Sequence, residues 1–355
     1  IEGGTFTMGQ VDDDLEFNWD NQARRTTVSS FYMDETEVTN HDYLEYIYWL
    51  QRVYPNNSEI VERALPDTAA WRNKLAYNET MVKYYLRHPA YRDYPVVGVS
   101  WLQANDFCKW RTDRVNEQIL IKNGLLAHSP DAQLDENHFT TATYLSGQYD
   151  GDKGEDYEGI RSYRSENSTR NVKMEDGLLL PDYRLPTEAE WEFAALGLAS
   201  QNGNELIAQR RTYPWDGHFV RGGDPRKPDY GRIQANFVKG NGDYMGVAGA
   251  LDDFGDITVP VESYQPNDFG LYNMAGNVNE WVADVYRPLS LQDNNEFRPF
   301  RGNVYQTKRL QADGTPADPY DEVQYDVTEI KEFLDEYQRR GLGLKSFTFE
   351  DKALI

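Results

Sequence analysis

Short runs that alternate apolar and polar residues occur twice near the N-terminal end of the chain, at residues 4–9 and 26–33. Both contain Thr together with Phe, Val or Tyr and are bounded by Gly or acidic residues, which is typical of β-strands. Three later stretches instead place apolar residues at helical spacing behind a residue that can cap a helix. We therefore predict a mixed domain with short strands and three principal helices.

Each of the three predicted helices has a recognisable first residue. The first begins at Thr39 or Asn40 and the second after Ser100, because side-chain oxygens at these positions can accept hydrogen bonds from the free amides of a first turn. The third begins at Thr187, which has the spacing of a capping box with Glu190. Helical spacing predicts buried faces made of Tyr43, Ile47 and Leu50; of Trp101, Ala104, Cys108 and Val115; and of Trp191, Ala194 and Ala195.

Two stretches are too polar and irregular for this pattern, at about residues 54–90 and 123–182, and we interpret them as insertions. Composition changes again near residue 290. We therefore divide the chain into a domain over residues 1–289, which carries both insertions, and an acidic appendage over residues 290–355. Within the appendage, charged amphipathic spacing predicts a helix at about residues 327–340.

Composition narrows the fold class and the partners. The 27 Gly, 16 Pro and 25 Tyr among 355 residues favour a loop-rich α+β domain over a repeating βαβ chain. The net charge of -23, without a basic cluster, argues against nucleic-acid binding, because the chain and the phosphate backbone repel each other. The longest apolar stretches are far shorter than the about 20 residues that cross a bilayer.

Candidate chemistry lies in oxygen ligands more than in His or Cys. The five His residues have no pairing that indicates zinc or iron. The single cysteine, Cys108, lies on a predicted apolar helix face, which favours an unreactive thiol. Oxygen-bearing side chains follow Asn236, at Asp252, Asp253 and Asp256, and again between Asn273 and Glu280. Calcium takes about six to eight oxygens, but turns require the same residue types, so spacing leaves both interpretations open.

Six sequence blocks occur in an order that resembles the formylglycine-generating-enzyme (sulfatase-modifying factor) domain. They are GGTFTMG at 3–9, DETEVTN at 34–40, YPVVGVSW at 94–101, RLPTEAEWE at 184–192, YPW at 213–215 and NMAGNVNEW at 273–281. The resemblance implies a C-type-lectin-like α+β fold, poor in regular secondary structure and interrupted by the two insertions.

The resemblance also implies two calcium sites. The first corresponds to Asn236, the Phe237 carbonyl, Asp253 and the Gly255 carbonyl. The second corresponds to Asn273, the Gly276 carbonyl, the Val278 carbonyl and Glu280. The copper site of the enzymes uses two cysteines near the end of the domain, and this chain has only Cys108. We therefore expect no copper and no catalytic residue.

Three further blocks resemble, within this family, lipoproteins of gliding motility: FYMDE at 31–35, HPAY at 88–91 and WRTDRVN at 110–116. This resemblance implies a non-enzymatic scaffold on the periplasmic face of the outer membrane, with a lipid anchor upstream of Ile1. Its implied partners are other gliding and type IX secretion proteins. Two alternatives stay open: a calcium-dependent, lectin-like binding module, and a cysteine-oxidising enzyme whose catalytic segment is absent here.

Overall fold

The structure is a computed structural model. It describes residues 1–9, 23–72, 77–149, 160–161, 169–196, 212–215, 217, 219–227, 230–237, 255, 257–286, 296–297, 299–301, 305–308 and 325–328.

Two antiparallel strands open the fold, β1 (Gly4–Met8) and β2 (Arg24–Val28), with Phe6 opposite Thr26. The second strand was predicted at residues 26–33, and it begins two residues earlier and ends at Val28. The backbone at and after Val28 lies very close to Gly3. A Cβ atom on Gly3 would lie 2.5 Å from the carbonyl oxygen of Val28. Irregular backbone contacts therefore replace regular pairing after this point.

All three predicted helix starts are confirmed. α1 (Asn40–Val53) is capped by Thr39, whose capping-box partner is Asp42. α4 (Trp101–Lys122) is capped in the same way by Ser100. The last helix of the described chain, α6 (Glu188–Leu196), has the predicted capping box, because Glu190 N donates to Thr187 Oγ1 at 3.2 Å and Thr187 N donates to Glu190 Oε2 at 2.8 Å.

The stretch predicted as a first insertion is largely helical. It contains α2 (Ser58–Ala64) and α3 (Glu79–Tyr84), with short 3-10 helices at Thr68–Trp71 and Pro89–Tyr91. Its Ala64 joins a hydrophobic cluster under α1 and α4, which consists of Tyr43, Tyr46, Ile47, Leu50, Ala64 and Phe107. The first insertion therefore packs onto the core of the domain.

The stretch predicted as a second insertion, residues 123–182, has a hydrophobic cluster of its own. It carries α5 (Thr141–Leu145) and a short antiparallel pair, β3 (Ile160–Arg161) with β4 (Thr169–Arg170). The buried residues of this cluster are Leu120, Leu125, Leu126, Phe139, Tyr144, Tyr149, Val172 and Leu179. Leu120 belongs to α4, so the end of that helix anchors the insertion.

The predicted buried face of α4 is wrong. Trp101, Ala104, Cys108 and Val115 are half-buried, and the buried positions are Phe107, Thr112, Asn116, Glu117 and Leu120. The reason is that polar side chains of α4 hold the backbone at the end of the second insertion and just after it. Asn116 Oδ1 accepts from Leu180 N at 2.9 Å, and Thr112 Oγ1 accepts from Tyr183 N at 2.8 Å. The spacing of apolar residues does not predict the burial of polar side chains that have hydrogen-bond partners.

A third cluster packs α6 against β1 and β2 through Phe6, Met8, Val28, Ala189, Phe193 and Leu196. Further along the chain, β5 (Tyr305–Lys308) pairs antiparallel with β6 (Tyr325–Thr328). The predicted helix at 327–340 is therefore wrong at Val327 and Thr328, where aromatic and β-branched residues favour a strand. Its remainder lies outside the described residues.

The strands that the structure describes form three separate two-stranded antiparallel sheets, and loops connect most elements. The fold is thus a mixed and irregular one with more helix than strand. Among the described helices, none is both long and apolar enough to cross a membrane.

Candidate metal centre

The loop from Asn273 to Glu280 turns tightly against residue 236. Asn273, Gly276 and Asn277 have left-handed backbone angles, with φ values of 49°, 86° and 64°. A Cβ atom at Gly276 would lie 2.1 Å from the carbonyl oxygen of Asn236, so only glycine fits there. Asn tolerates the left-handed region better than most residues, which explains the other two positions.

This turn contacts Asn236, the first residue of the other predicted calcium site. Asn236 and Gly276 form a β-bridge, and Asn277 N donates to the Asn236 carbonyl oxygen at 2.8 Å. Gly255 lies beside Asn236: a Cβ atom built on Gly255 would be 3.1 Å from Asn236 Oδ1. Phe237 follows Asn236 directly, and Asp253, the remaining member of the first site, lies outside the described residues.

The side chain of Asn273 is buried, with 7% of the residue exposed. Its amide nitrogen donates to Glu37 Oε2 at 3.0 Å and to the Val261 carbonyl oxygen at 2.9 Å. Its Oδ1 atom is buried and has no hydrogen-bond partner among the described residues. An unsatisfied buried acceptor costs about 1–3 kcal/mol, and a cation is a group that would satisfy it.

Glu280 closes the same loop. Its Oε2 atom accepts a hydrogen bond from the indole nitrogen of Trp191 at 2.7 Å. Many protein atoms surround the carboxylate, and this burial, with the nearby charge of Glu37, raises the pKa of Glu280 to about 7. The residue as a whole is nevertheless exposed, so solvent ions have access to it.

Glu37 is the site residue that sequence reasoning missed. Its two carboxylate oxygens accept hydrogen bonds from the side-chain amides of Asn273 and Asn277, at 3.0 and 2.8 Å. Burial raises the pKa of Glu37, and these two hydrogen bonds oppose the shift. Its place in the DETEVTN block was a signal, but 236 residues separate Glu37 from Asn273.

The described residues therefore bring Asn273, Gly276, Val278 and Glu280 into one loop, with Asn236 and Gly255 alongside. The candidate oxygens are mostly amides and backbone carbonyls. Three or more His, Cys, Asp or Glu side chains do not converge on a metal-sized site anywhere in the part of the chain that the structure describes.

The single thiol has a different environment. Cys108 is half-buried on α4. Burial raises its pKa to about 11, although the nearby Arg111 guanidinium partly offsets this shift. Because the thiolate is the nucleophile and the metal ligand, a protonated Cys108 is unreactive at neutral pH.

Comparison with known proteins identifies the class to which this fold and site belong. The family model described as the sulfatase-modifying factor enzyme 1-like domain matches residues 1–322. The chain is a member of this FGE-sulfatase family, which confirms the family resemblance seen in its sequence.

Its relatives include proteins named as enzymes and proteins named as inactive. The chain is 26% identical over 290 residues to the formylglycine-generating enzyme of Mus musculus, covering 80% of this chain and 57% of that protein. It is 25% identical over 324 residues to the inactive C-alpha-formylglycine-generating enzyme 2 of Bos taurus, covering 85% and 74%. The chain thus spans little more than half of the mouse enzyme.

Among solved structures, Treponema denticola variable protein 1 matches with a TM-score of 0.36 and 19% identity, covering 93% of this chain and 88% of that one.

Proposed function

We propose that this protein is a non-enzymatic, structural member of its family, similar to the gliding-motility lipoprotein GldJ. In this proposal it is anchored by lipid to the periplasmic face of the outer membrane and binds other subunits of the gliding-motility and type IX secretion machinery. The observation that carries the non-enzymatic part is the single cysteine, Cys108, since the family's copper site requires two thiolates.

The proposal that this chain does not oxidise cysteine has two direct tests. Copper-loaded protein should not convert a Cys-containing peptide to an aldehyde, and turnover would overturn the proposal. Alkylation of Cys108 in the folded protein should be slower than that of an exposed thiol with an ordinary pKa, because burial raises the pKa of Cys108 to about 11 and so lowers its thiolate fraction. Equal rates would show an exposed, reactive thiol.

The second insertion supports the scaffold role. A closed apolar cluster supports its backbone, and it also presents apolar side chains to solvent. These exposed residues are Leu134 (45%), Leu145 (38%), Met174 (41%) and Leu180 (41%). Exposed apolar residues mark a protein–protein contact where they form one contiguous patch, which we propose for these four.

A pull-down from the native envelope tests this role. The tagged full-length protein is cross-linked in cells, and co-purifying proteins are identified by mass spectrometry. We expect gliding and type IX secretion subunits, and we expect the Leu134→Ser/Leu145→Ser variant to lose them. Tyr48→Ser is the control, since this exposed residue lies on α1, outside the insertion. Recovery of none of these subunits, or equal recovery with both variants, would contradict the proposal.

We also propose that calcium is a structural cofactor and that the domain has the C-type-lectin-like fold of its family. Asn236, the Phe237 carbonyl, Asp253 and the Gly255 carbonyl would hold the first ion. Asn273, the Gly276 and Val278 carbonyls and Glu280 would hold the second. The buried, unpartnered Oδ1 of Asn273 supports the second site. Calcium suits a flexible shell of neutral oxygens better than magnesium, which requires a stricter octahedron.

Removal of one carboxylate tests the second ion. Bound calcium should raise the melting temperature, because the unfolded chain lacks the assembled ligands. Glu280→Gln should shrink that increase and leave the fold intact at high calcium. Coincident melting curves of the wild type with calcium and with chelator, together with no metal by elemental analysis, would overturn the calcium proposal.

A second candidate function is lectin-like glycan binding, favoured by an aromatic cleft. Phe219 and Tyr230 are 72% and 59% exposed and line a shallow, open cleft of about 450 Å³ together with Gly222, Gly223 and Gly231. Tyr213 and Trp215 stack nearby in sequence, with ring centroids 4.9 Å apart. Aromatic faces of this kind bind sugar rings. Calcium-dependent binding to a glycan array, lost in Phe219→Ala, would favour this function over the scaffold.

A further inference from the structure

Glu37 joins the predicted second metal loop to a distant part of the chain. It lies between β2 and α1, and its carboxylate bridges two amide groups of the loop. Asn273 Nδ2 donates to Glu37 Oε2 at 3.0 Å, and Asn277 Nδ2 donates to Glu37 Oε1 at 2.8 Å. Both oxygens of the carboxylate are therefore engaged, and Glu37 does not itself need to contact an ion.

This bridge determines the orientation of the Asn273 amide. An ionised carboxylate only accepts hydrogen bonds, so Asn273 must present its nitrogen to Glu37. The second proton of that nitrogen goes to the Val261 carbonyl oxygen at 2.9 Å. With both donors used, Oδ1 is directed to the remaining side, where it is buried and has no partner among the described residues. A rotated amide would place oxygen against carboxylate oxygen.

The second half of the bridge reaches the other predicted site. Asn277 Oδ1 accepts from Val259 N at 2.9 Å, and its backbone amide donates to the Asn236 carbonyl oxygen at 2.8 Å. Asn236 is the first residue of the other predicted calcium site. Glu37 thus fixes Asn273 directly and contacts, through Asn277, the residue that begins the neighbouring site.

The bridge also changes the charge of the site. The ligand set predicted for the second site contains one carboxylate, that of Glu280. Glu37 lies close enough to Glu280 for their charges to repel each other. Glu37 and Glu280 are thus two neighbouring carboxylates, and a divalent cation would balance their combined charge.

We propose that Glu37 is a positioning residue of the second calcium site, which orients the Asn273 oxygen toward the ion without being a ligand. This inference rests on the calcium site proposed above. Residues of this kind, which hold a ligand in place, typically change metal affinity by about 10- to 100-fold when they are replaced.

Calcium titration calorimetry on the full chain tests this role. Glu37→Gln should weaken binding at the second site by about 10- to 100-fold, because glutamine offers one acceptor oxygen to two amide donors. Glu35→Gln is the matched control. Glu35 is exposed, and only its backbone carbonyl reaches this region, where it accepts from the N–H of Tyr272, the residue before the loop, at 2.8 Å. The Glu35→Gln variant should therefore bind calcium as the wild type does. Melting curves in chelator measure stability separately from affinity.

The outcomes separate this inference from the calcium proposal. If the wild type binds no calcium, both are overturned. If the wild type binds calcium and Glu37→Gln binds it equally well, calcium stands and the role of Glu37 is overturned, even if the variant melts earlier in chelator. If Glu37→Gln does not fold, Glu37→Asp keeps the charge but shortens the bridge, and wild-type affinity in that variant would equally overturn the role.

Discussion

The second insertion, residues 123–182, and the loop from Asn273 to Glu280 are both poor in regular secondary structure, yet different forces hold them. The insertion packs Phe139, Tyr144 and Val172 into a closed apolar cluster. The loop is held by side-chain amides, carboxylates and one close glycine contact, and it contains a buried oxygen that has no hydrogen-bond partner among the described residues.

Because apolar packing holds the insertion and polar groups hold the loop, the stability of the two regions should depend differently on bound ions. Burial of apolar surface contributes about 25 cal/mol per Å² and does not depend on any bound ion. A cluster of amides and two neighbouring carboxylates loses part of its stability when no cation balances it. The insertion should therefore be insensitive to calcium and the loop should respond to it.

The largest expected effect is in the insertion. Phe139 is fully buried, so Phe139→Ala should lower the free energy of unfolding by about 3–5 kcal/mol, equally with calcium and with chelator. Urea unfolding under both conditions measures it. Phe219→Ala, at a residue that is 72% exposed, is the control and should change stability by less than about 0.5 kcal/mol. A calcium-dependent effect of Phe139→Ala would break the comparison.

The next effect is in the loop. Gly276→Ala should lower the free energy of unfolding by about 2–3 kcal/mol and reduce the stabilisation by calcium, because it combines a left-handed backbone with a Cβ atom only 2.1 Å from the Asn236 carbonyl oxygen. Gly124→Ala is the matched control: its φ is +70°, and nothing lies within 4 Å of its Cβ position. Backbone strain alone should cost about 1 kcal/mol there. Equal losses in the two variants would refute a tight approach at Gly276.

The smallest effect concerns the helix that supports the loop from outside. Thr187 caps α6, and Trp191 on that helix donates to Glu280. Thr187→Ala should lower the free energy of unfolding by about 1 kcal/mol, the usual cost of a lost cap hydroxyl. Thr187→Ser keeps the hydroxyl and should remain near wild type. An unchanged urea midpoint for Thr187→Ala would show that the cap does not contribute.

The sequence predicted those parts of the fold that depend on residues close together along the chain. The caps at Thr39, Ser100 and Thr187 are read within one helical turn, and each helix starts where its cap indicates. The buried face of α4 was not predictable in this way. Asn116 is fully buried because it bonds Leu180, 64 residues away, and apolar periodicity contains no such information.

The same distinction between local signals and long-range contacts applies to the candidate metal centre. The ligands expected from the family resemblance in the second loop lie within eight residues of one another, so the sequence alone already places them close together, and their role as calcium ligands stays a prediction. Glu37 was missed because its contact with Asn273 spans 236 residues. The orientation of an amide group depends on its partner, so the unpaired oxygen of Asn273 became visible only in three dimensions.

Hydrogen exchange on the full chain, followed by mass spectrometry with calcium and with chelator, tests most directly whether calcium organises the loops while the insertion is self-supporting. We predict that calcium slows amide exchange in peptides covering residues 257–286, while peptides covering residues 120–149 exchange at the same rate in both conditions. Identical exchange across residues 257–286, or a calcium effect confined to residues 120–149, would contradict this account.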